Sequence, residues 1–363
     1  MNDHAQLPGP PGERPRAPEG TPGQPAATAV FVVPRDSVAH TRTWMAWPDR
    51  PDIWCSDLAG AQANIALIAT TIANYEPVIV CANTGSVDQA QSACGPTVTV
   101  IGSIPVDDCW IRDTGPIFRI TTAGGLDTIG LNFNGYGYKQ SHAHDALVAQ
   151  RIAAHLTVPY TAAGLVGEGG AIETDGNGTL MATRSSILNC NRNPNKTQEQ
   201  IETAMCAAYG ASKVIWFPGI AGQDFTDDHV DTTSRFLHTG SAAVQIPFGC
   251  DTDIWSIDER QQYHMLSAST DAQGSAITVT PIQGPNNNCI RATDPNFVSS
   301  YANYYVCNGA VISAQFGDPH ADTAAKKTLA ALFPDRTIEQ LNIDTLGNGG
   351  GGIHCVTQQQ PAI

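Results

Sequence analysis

Near the C-terminus, the run Gly347-Asn-Gly-Gly-Gly-Gly-Ile-His-Cys-Val-Thr-Gln-Gln-Gln-Pro361 leads four consecutive glycines, 349–352, into Cys355. Such a run is entropically costly to order. A flexible linker would not continue directly into Ile-His-Cys-Val, so the glycines are read as letting backbone lie close to a ligand beside a thiol. No Gly-Lys-Ser/Thr follows, which removes a phosphate-loop reading. A second segment, Asp227-Asp-His-Val-Asp-Thr232, holds His229 and Asp231. In a strand these two would share a face, a pairing suited to acid–base work or metal ligation. No third ligand lies close by for a metal, and a surface histidine stays open. Glu168 sits between glycines in Gly167-Glu-Gly-Gly-Ala-Ile-Glu-Thr-Asp175. Asp108, Trp110, Arg112 and Asp113 crowd into Val106-Asp-Asp-Cys-Trp-Ile-Arg-Asp-Thr-Gly-Pro116. Taken singly, each of these last two is equally a capped turn. Asp-Thr-Gly alone does not make an aspartic protease, because a second copy and its hydrophobic strand context are missing.

Together the four segments suit one chemistry. Carboxylates in pairs clamp a planar guanidinium through its forked donors. A guanidinium carbon is a poor electrophile and asks for a strong nucleophile, which a thiolate supplies. A cation held against the thiol favours its ionised form. A histidine can then protonate departing ammonia and activate water.

The rest of the chain must position these groups. Its 363 residues are 42% hydrophobic and 15% charged, enough for a sizeable core. Nineteen basic residues face thirty-four acidic ones, a formal charge of -15, which argues against a nucleic-acid partner. That field attracts a small cation or simply keeps the protein soluble. Ten cysteines with no C-x-x-C pair read as free thiols of a reducing cytosol, and the N-terminus lacks a signal-like apolar run. A cytoplasmic chain with no membrane partner is expected. Residues 1–28 read as a Pro-rich disordered tail, and 29–363 as one catalytic domain. Strands are predicted at 77–81, 97–101, 213–217, 242–246 and 276–280, and helices at 57–74, 144–156, 197–209, 258–268 and 320–333. Thr197 with Gln200 forms a capping box. The alternation suggests about five α/β units of about 65 residues each, while a doubly wound sheet is equally compatible.

The chain resembles the agmatine deiminase, or Porphyromonas-type peptidylarginine deiminase, family of guanidino-group modifying enzymes. The resemblance rests on Thr43-Trp-Met-Ala-Trp-Pro-Asp-Arg-Pro-Asp-Ile-Trp54, Asp108-Cys-Trp-Ile-Arg-Asp-Thr-Gly-Pro116, Asn189-Cys-Asn-Arg-Asn-Pro194 with Thr197-Gln-Glu-Gln-Ile201, and Ile353-His-Cys-Val-Thr-Gln-Gln-Gln-Pro361. It implies a five-bladed α/β propeller (pentein) of pseudo-fivefold ββαβ units with the site on its axis. It further implies Cys355 as nucleophile, His229 as general acid and base, Asp113 and Asp231 as guanidinium clamps, Glu168 as partner of His229, and Trp110 as a pocket wall. No metal and no organic cofactor are implied. Departures at Asp228 and Gly352, and in Ser300-Tyr-Ala-Asn-Tyr-Tyr305, fall around the substrate tail. Asp227 and Asp228 would suit a second positive charge, as agmatine carries. A deiminase of peptidyl-arginine or another guanidino compound stays open, with Arg112, Arg184, Arg192 and Arg235 near the motifs. An amidinotransferase and a non-catalytic guanidinium-binding propeller are the further alternatives, and a homo-oligomer is compatible with the sequence.

Overall fold

A computed structural model describes residues 31–249, 251–294 and 296–363. The tail predicted at 1–28 lies outside them. In chain order, β1 (Phe31–Val32) and β2 (His40–Ala46) precede helix α1 (Leu58–Ile72), β3 (Val78–Cys81), α2 (Val87–Cys94) and β4 (Thr99–Ile101). Then come β5 (Ile117–Thr121), β6 (Leu126–Gly130), α3 (Val148–Leu156) and β7 (Tyr160–Ala162). The same series recurs as β8 (Ile172–Thr174), β9 (Thr179–Thr183), α4 (Gln198–Tyr209) and β10 (Lys213–Phe217). It recurs as β11 (Ser234–His238), β12 (Ser241–Ile246), α5 (Ile254–Ser267) and β13 (Thr278–Gln283), and as β14 (Tyr305–Cys307), β15 (Ala310–Ala314), α6 (Pro319–Leu332) and β16 (Thr337–Leu341). β17 (Gln358–Pro361) ends the chain.

These strands make five separate sheets of one design. An antiparallel pair is followed by a helix and a third strand parallel to the second: β5-β6-β7, β8-β9-β10, β11-β12-β13 and β14-β15-β16. The fifth joins both ends of the chain, with β17 antiparallel to β2 and β3 parallel to β2. The expected α/β class is therefore observed. No helix among the described residues is long and apolar enough to cross a membrane.

Local chemistry explains the elements. In α1, Ala61, Ile65, Ile68, Ala69 and Ile72 are buried at helical spacing, and each isoleucine so buried contributes about 1.5–3 kcal/mol. Helix α4 starts at the capping box: Thr197 Oγ1 accepts from Gln200 N–H at 3.3 Å and Gln200 Oε1 accepts from Thr197 N–H at 2.9 Å. Helix α5 begins earlier than the predicted residue 258, because Asp253 caps the amides of Trp255 and Ser256. The strand predicted at 276–280 runs over Thr278–Gln283 instead. It is an edge strand, where Pro281, with no N–H to donate, is tolerated.

Candidate active site

The segment just ahead of the first strand of each antiparallel pair delivers the chemistry. Asp113 lies in the short helix Ile111–Thr114 before β5, and Glu168 caps the turn Gly169–Ala171 before β8. His229 precedes the turn Val230–Thr232 before β11, and Asp231 lies within it. Asn303 precedes β14, and Cys355 precedes β17. The five sheets thus direct five loops at one place. His229 and Asp231 do not belong to a strand as the alternating pattern suggested; a single 3₁₀ turn brings them together.

Gly170 measures the convergence. A Cβ at that position would stand 2.8 Å from His229 Nδ1, 2.9 Å from Asp113 Oδ1 and 3.0 Å from Asp231 Oδ2, so only glycine fits. Its amide donates to Asp113 Oδ1 at 2.9 Å, and Tyr136 Oη donates to Asp113 Oδ2 at 2.9 Å. Cys355 is a buried free thiol. Asn303 Nδ2 lies 3.4 Å from its Sγ and 3.3 Å from the Asp231 carbonyl. Two buried atoms, His229 Nε2 and Asp231 Oδ1, have no hydrogen-bond partner. Unpaired buried polar atoms are rare in folded proteins and mark places where a further group belongs.

The electrostatics are those of a site short of one cation. Burial, then the Asp231 and Asp113 charges, push the Cys355 thiol well above its usual range. Burial raises Asp113 to about 6; His229 opposes the rise, while Asp231 and Glu168 add to it. Burial works to lower His229, but Asp113 and Glu168 outweigh it and raise the ring to about 9. The imidazole contacts these two at 3.7 Å (Nδ1 to Asp113 Oδ1) and 3.5 Å (Nε2 to Glu168 Oε2). Neither is an aligned hydrogen bond, so the contact acts through charge.

Behind the site, buried basic side chains hold two of the carboxylates. Arg192 Nε donates to Glu168 at 2.7 and 2.9 Å, and its Nη1 reaches Asp227 at 2.8 Å. Against burial, His229 and Arg192 keep Glu168 below the usual carboxylate range. His354 Nδ1 lies 2.6 Å from Asp231 Oδ2, and against burial this contact together with His229 and Arg235 keeps Asp231 low.

The residues expected around the substrate tail are placed as follows. Asp228 turns away: its Oδ2 accepts from the Ile220 amide at 3.0 Å, and burial beside Asp258 and Asp224 raises its pKa. Asp227 is occupied by Arg192 and by Lys139 Nζ at 2.7 Å. Asp227 is thus already paired with two cations. The glycine run serves side chains. A Cβ on Gly351 would overlap the Trp110 ring, and one on Gly352 would overlap the Asn303 amide. Trp110 is buried and tilted against Trp54. Residues absent from the sequence reading are Asn303, Tyr136, His354 and Arg192 in their site roles. The repeat pattern would have flagged Asn303, but Tyr136 carries no local signal. It sits in a turn where φ is positive at Gly135, Tyr136, Gly137 and Tyr138.

Among the described residues, Asp36, Glu173 and His354 bring potential ligand atoms within 4.8 Å of one another. Arg235 donates to both carboxylates at 2.7 Å, so a fixed guanidinium already supplies positive charge there.

The chain matches the family model described as Porphyromonas-type peptidyl-arginine deiminase over residues 32–361. A curated relative from Streptomyces coelicolor is 37% identical, over 92% of this chain and 99% of its own. The agmatine deiminase of Stutzerimonas stutzeri is 34% identical, over 92% and 96%. Among solved structures, the agmatine deiminase of Enterococcus faecalis is similar with a TM-score of 0.85 and 28% identity, covering 92% of this chain and 96% of that one. These matches span nearly all the described residues, and the chain belongs to the Porphyromonas-type peptidyl-arginine deiminase family.

Proposed function

We propose that this protein is a hydrolase of C–N bonds in linear amidines: an agmatine deiminase forming N-carbamoylputrescine and ammonia. The observation that carries this reading is a buried free thiol beside two carboxylates, one with an unpartnered oxygen, in a site short of one cation. A guanidinium bound between Asp113 and Asp231 fills that deficit. Its charge also opposes the burial and the carboxylate charges that hold Cys355 protonated, so substrate arrival favours loss of the thiol proton to bulk water and leaves the thiolate.

The thiolate then attacks the guanidinium carbon. His229, charged at neutral pH, gives a proton to the departing nitrogen, and ammonia leaves an amidino-thioether on Cys355. His229, now neutral, takes a proton from water as its oxygen attacks the same carbon. Collapse of the adduct breaks the C–S bond, and the leaving sulfur takes the hydroxyl proton as the ureido product forms, which restores the thiol. Glu168, kept ionised by His229 and Arg192, steadies the charge on His229. Trp110 packs the wall behind the glycine segment.

Agmatine is favoured over arginine or a C-terminal arginine peptide by how three of the four motif arginines are used; the fourth, Arg112, is buried with Nε 3.4 Å from the His354 carbonyl and Nη2 without a partner. Arg192 and Arg235 are locked in internal ion pairs, and Arg184 contacts Gln198 and the Trp216 carbonyl. They are committed elsewhere than to a substrate carboxylate. The expected result is ureido product from agmatine in large excess over both arginine compounds, and a fall of about 10³-fold or more in Cys355→Ser. Turnover of agmatine that survives Cys355→Ser would sink the mechanism.

The five sheets are also proposed to be blades of a five-bladed α/β propeller with the site on its axis. The recurring antiparallel pair, helix and parallel strand supports this, as does the pairing of β17 with β2. A crystal structure in which the units are not related by equal rotations about one axis would remove it.

A further inference from the structure

His354 adjoins Cys355 in the chain, yet its ring serves a different neighbour. Nδ1 meets Asp231 Oδ2 at 2.6 Å and Nε2 meets Asp36 Oδ2 at 3.0 Å. Ionised carboxylate oxygens only accept, so a ring bonded to both donates from both nitrogens, as an imidazolium does. Its backbone amide is fixed as well, donating to Asn303 Oδ1 at 3.0 Å. Asp36 is held in turn: Gln359 Nε2 donates to its Oδ1 at 2.6 Å and Arg235 Nη2 to its Oδ2 at 2.7 Å. Asp231, His354, Asp36 and Arg235 therefore form a row of alternating charge running from the candidate site to a cavity of about 30 Å³ that Asp36 and His354 both line.

The row leaves one atom open. Asp231 Oδ2 is fixed by His354, while Oδ1 is buried without a partner. A carboxylate held by one oxygen cannot rotate without breaking a charge-assisted bond in a buried setting.

We propose that His354, clamped by Asp36, is a positioning residue that fixes Asp231 so that Oδ1 faces the substrate cation. It acts on cation recognition and not on the sulfur, and it touches neither substrate nor reacting atoms. The inference rests on the reading of Asp231 as a guanidinium clamp.

The test compares two alkylators of Cys355 on the full chain: cationic 2-chloroacetamidine and neutral iodoacetamide, with the labelled residue mapped by mass. In the wild type the cation is expected to react faster. His354→Leu should cut the cationic rate at least about tenfold more than the neutral rate and raise the agmatine KM by a similar factor. His354→Asn keeps an N–H near the Nδ1 position and should restore most of the ratio. Asp36→Asn should give an intermediate ratio, and it serves as the readout if His354→Leu does not fold.

Equal loss of both rates, or an unchanged ratio in folded His354→Leu or Asp36→Asn, overturns the proposal. Failure of His354→Asn to restore the ratio does the same, since the Nδ1 donor is what the argument needs. A wild type indifferent to reagent charge instead overturns the clamp reading itself, so the two failures are told apart.

Discussion

Two rows of buried charge flank the site, and they differ in what they leave free. On one side, Glu168 is backed by Arg192, Arg192 by Asp227, and Asp227 by Lys139. On the other, Asp231 is backed by His354, His354 by Asp36, and Asp36 by Arg235. Both keep a carboxylate ionised where burial alone would protonate it. Arg192 Nε engages both oxygens of Glu168, whereas the imidazole takes one oxygen of Asp231. The first carboxylate is closed and can act only through its charge on His229. The second is half open and can still accept from a ligand. Asp113 has neither kind of backing. Its hydrogen bonds come only from the neutral donors Gly170 N–H and Tyr136 O–H, with His229 Nδ1 at 3.7 Å, and it is the site carboxylate raised to about 6.

The harshest way to break the comparison is Arg192→Met, which strips Glu168 of its cation. Removing one partner of a buried pair costs about 3–5 kcal/mol, so denaturant melts should show a loss of that order. Arg192→Lys should recover only part of it, because an ammonium cannot reproduce the fork. Loss below 1 kcal/mol, as a rough floor for surface pairs, would place the row with those weak pairs.

The unbacked groups set the next effect, through pH. His229 is raised from 6.5 to about 9 in the folded chain, so its stabilising contribution is complete below 6.5 and is lost as pH rises through 9. Its size is on the order of 3 kcal/mol. Asp113 is also raised, from 3.8 to about 6. The folded state then binds the extra proton between those values, and stability falls with rising pH across that window as well. For catalysis, kcat/KM for agmatine should rise through about 6 as Asp113 ionises and fall through about 9 as His229 loses its proton. A flat profile from 5 to 10 would break the assignment of both groups.

Tyr136→Phe sharpens the contrast with less disturbance. It removes the hydroxyl that donates to Asp113, a hydrogen bond to a charged acceptor worth about 1.5–3 kcal/mol. The acid limb of the profile should move upward and kcat/KM should drop by about tenfold or more. A loss of rate with an unmoved limb would mean that Tyr136 shapes the site without tuning Asp113. The smallest effect belongs to a remote control. Thr197→Ala breaks the capping box of α4 and should cost about 1 kcal/mol in stability, with agmatine KM unchanged.

Much of the site could be read from side-chain type and spacing. Cys355 stood out because a glycine run before a thiol is hard to explain as linker, and Asp113, Glu168, His229 and Asp231 stood out as polar groups among turn residues. Partnership could not be read that way. Asp227 and Asp228 looked alike in sequence, but one caps an ion row and the other turns to the Ile220 amide. The glycines 351 and 352 looked like space for a ligand, but Trp110 and Asn303 take that space. Asp36 and His354 are 318 residues apart, a separation across which no local pattern carries information.

By itself the sequence determined the α/β alternation, most helix starts and the inventory of reactive groups, because capping, periodicity and residue chemistry are local properties. Only the tertiary structure decided which oxygen of each carboxylate is engaged and which stays open. That choice depends on what five loops from separate sheets bring within hydrogen-bond distance, and in a buried site it sets charge, orientation and proton affinity together.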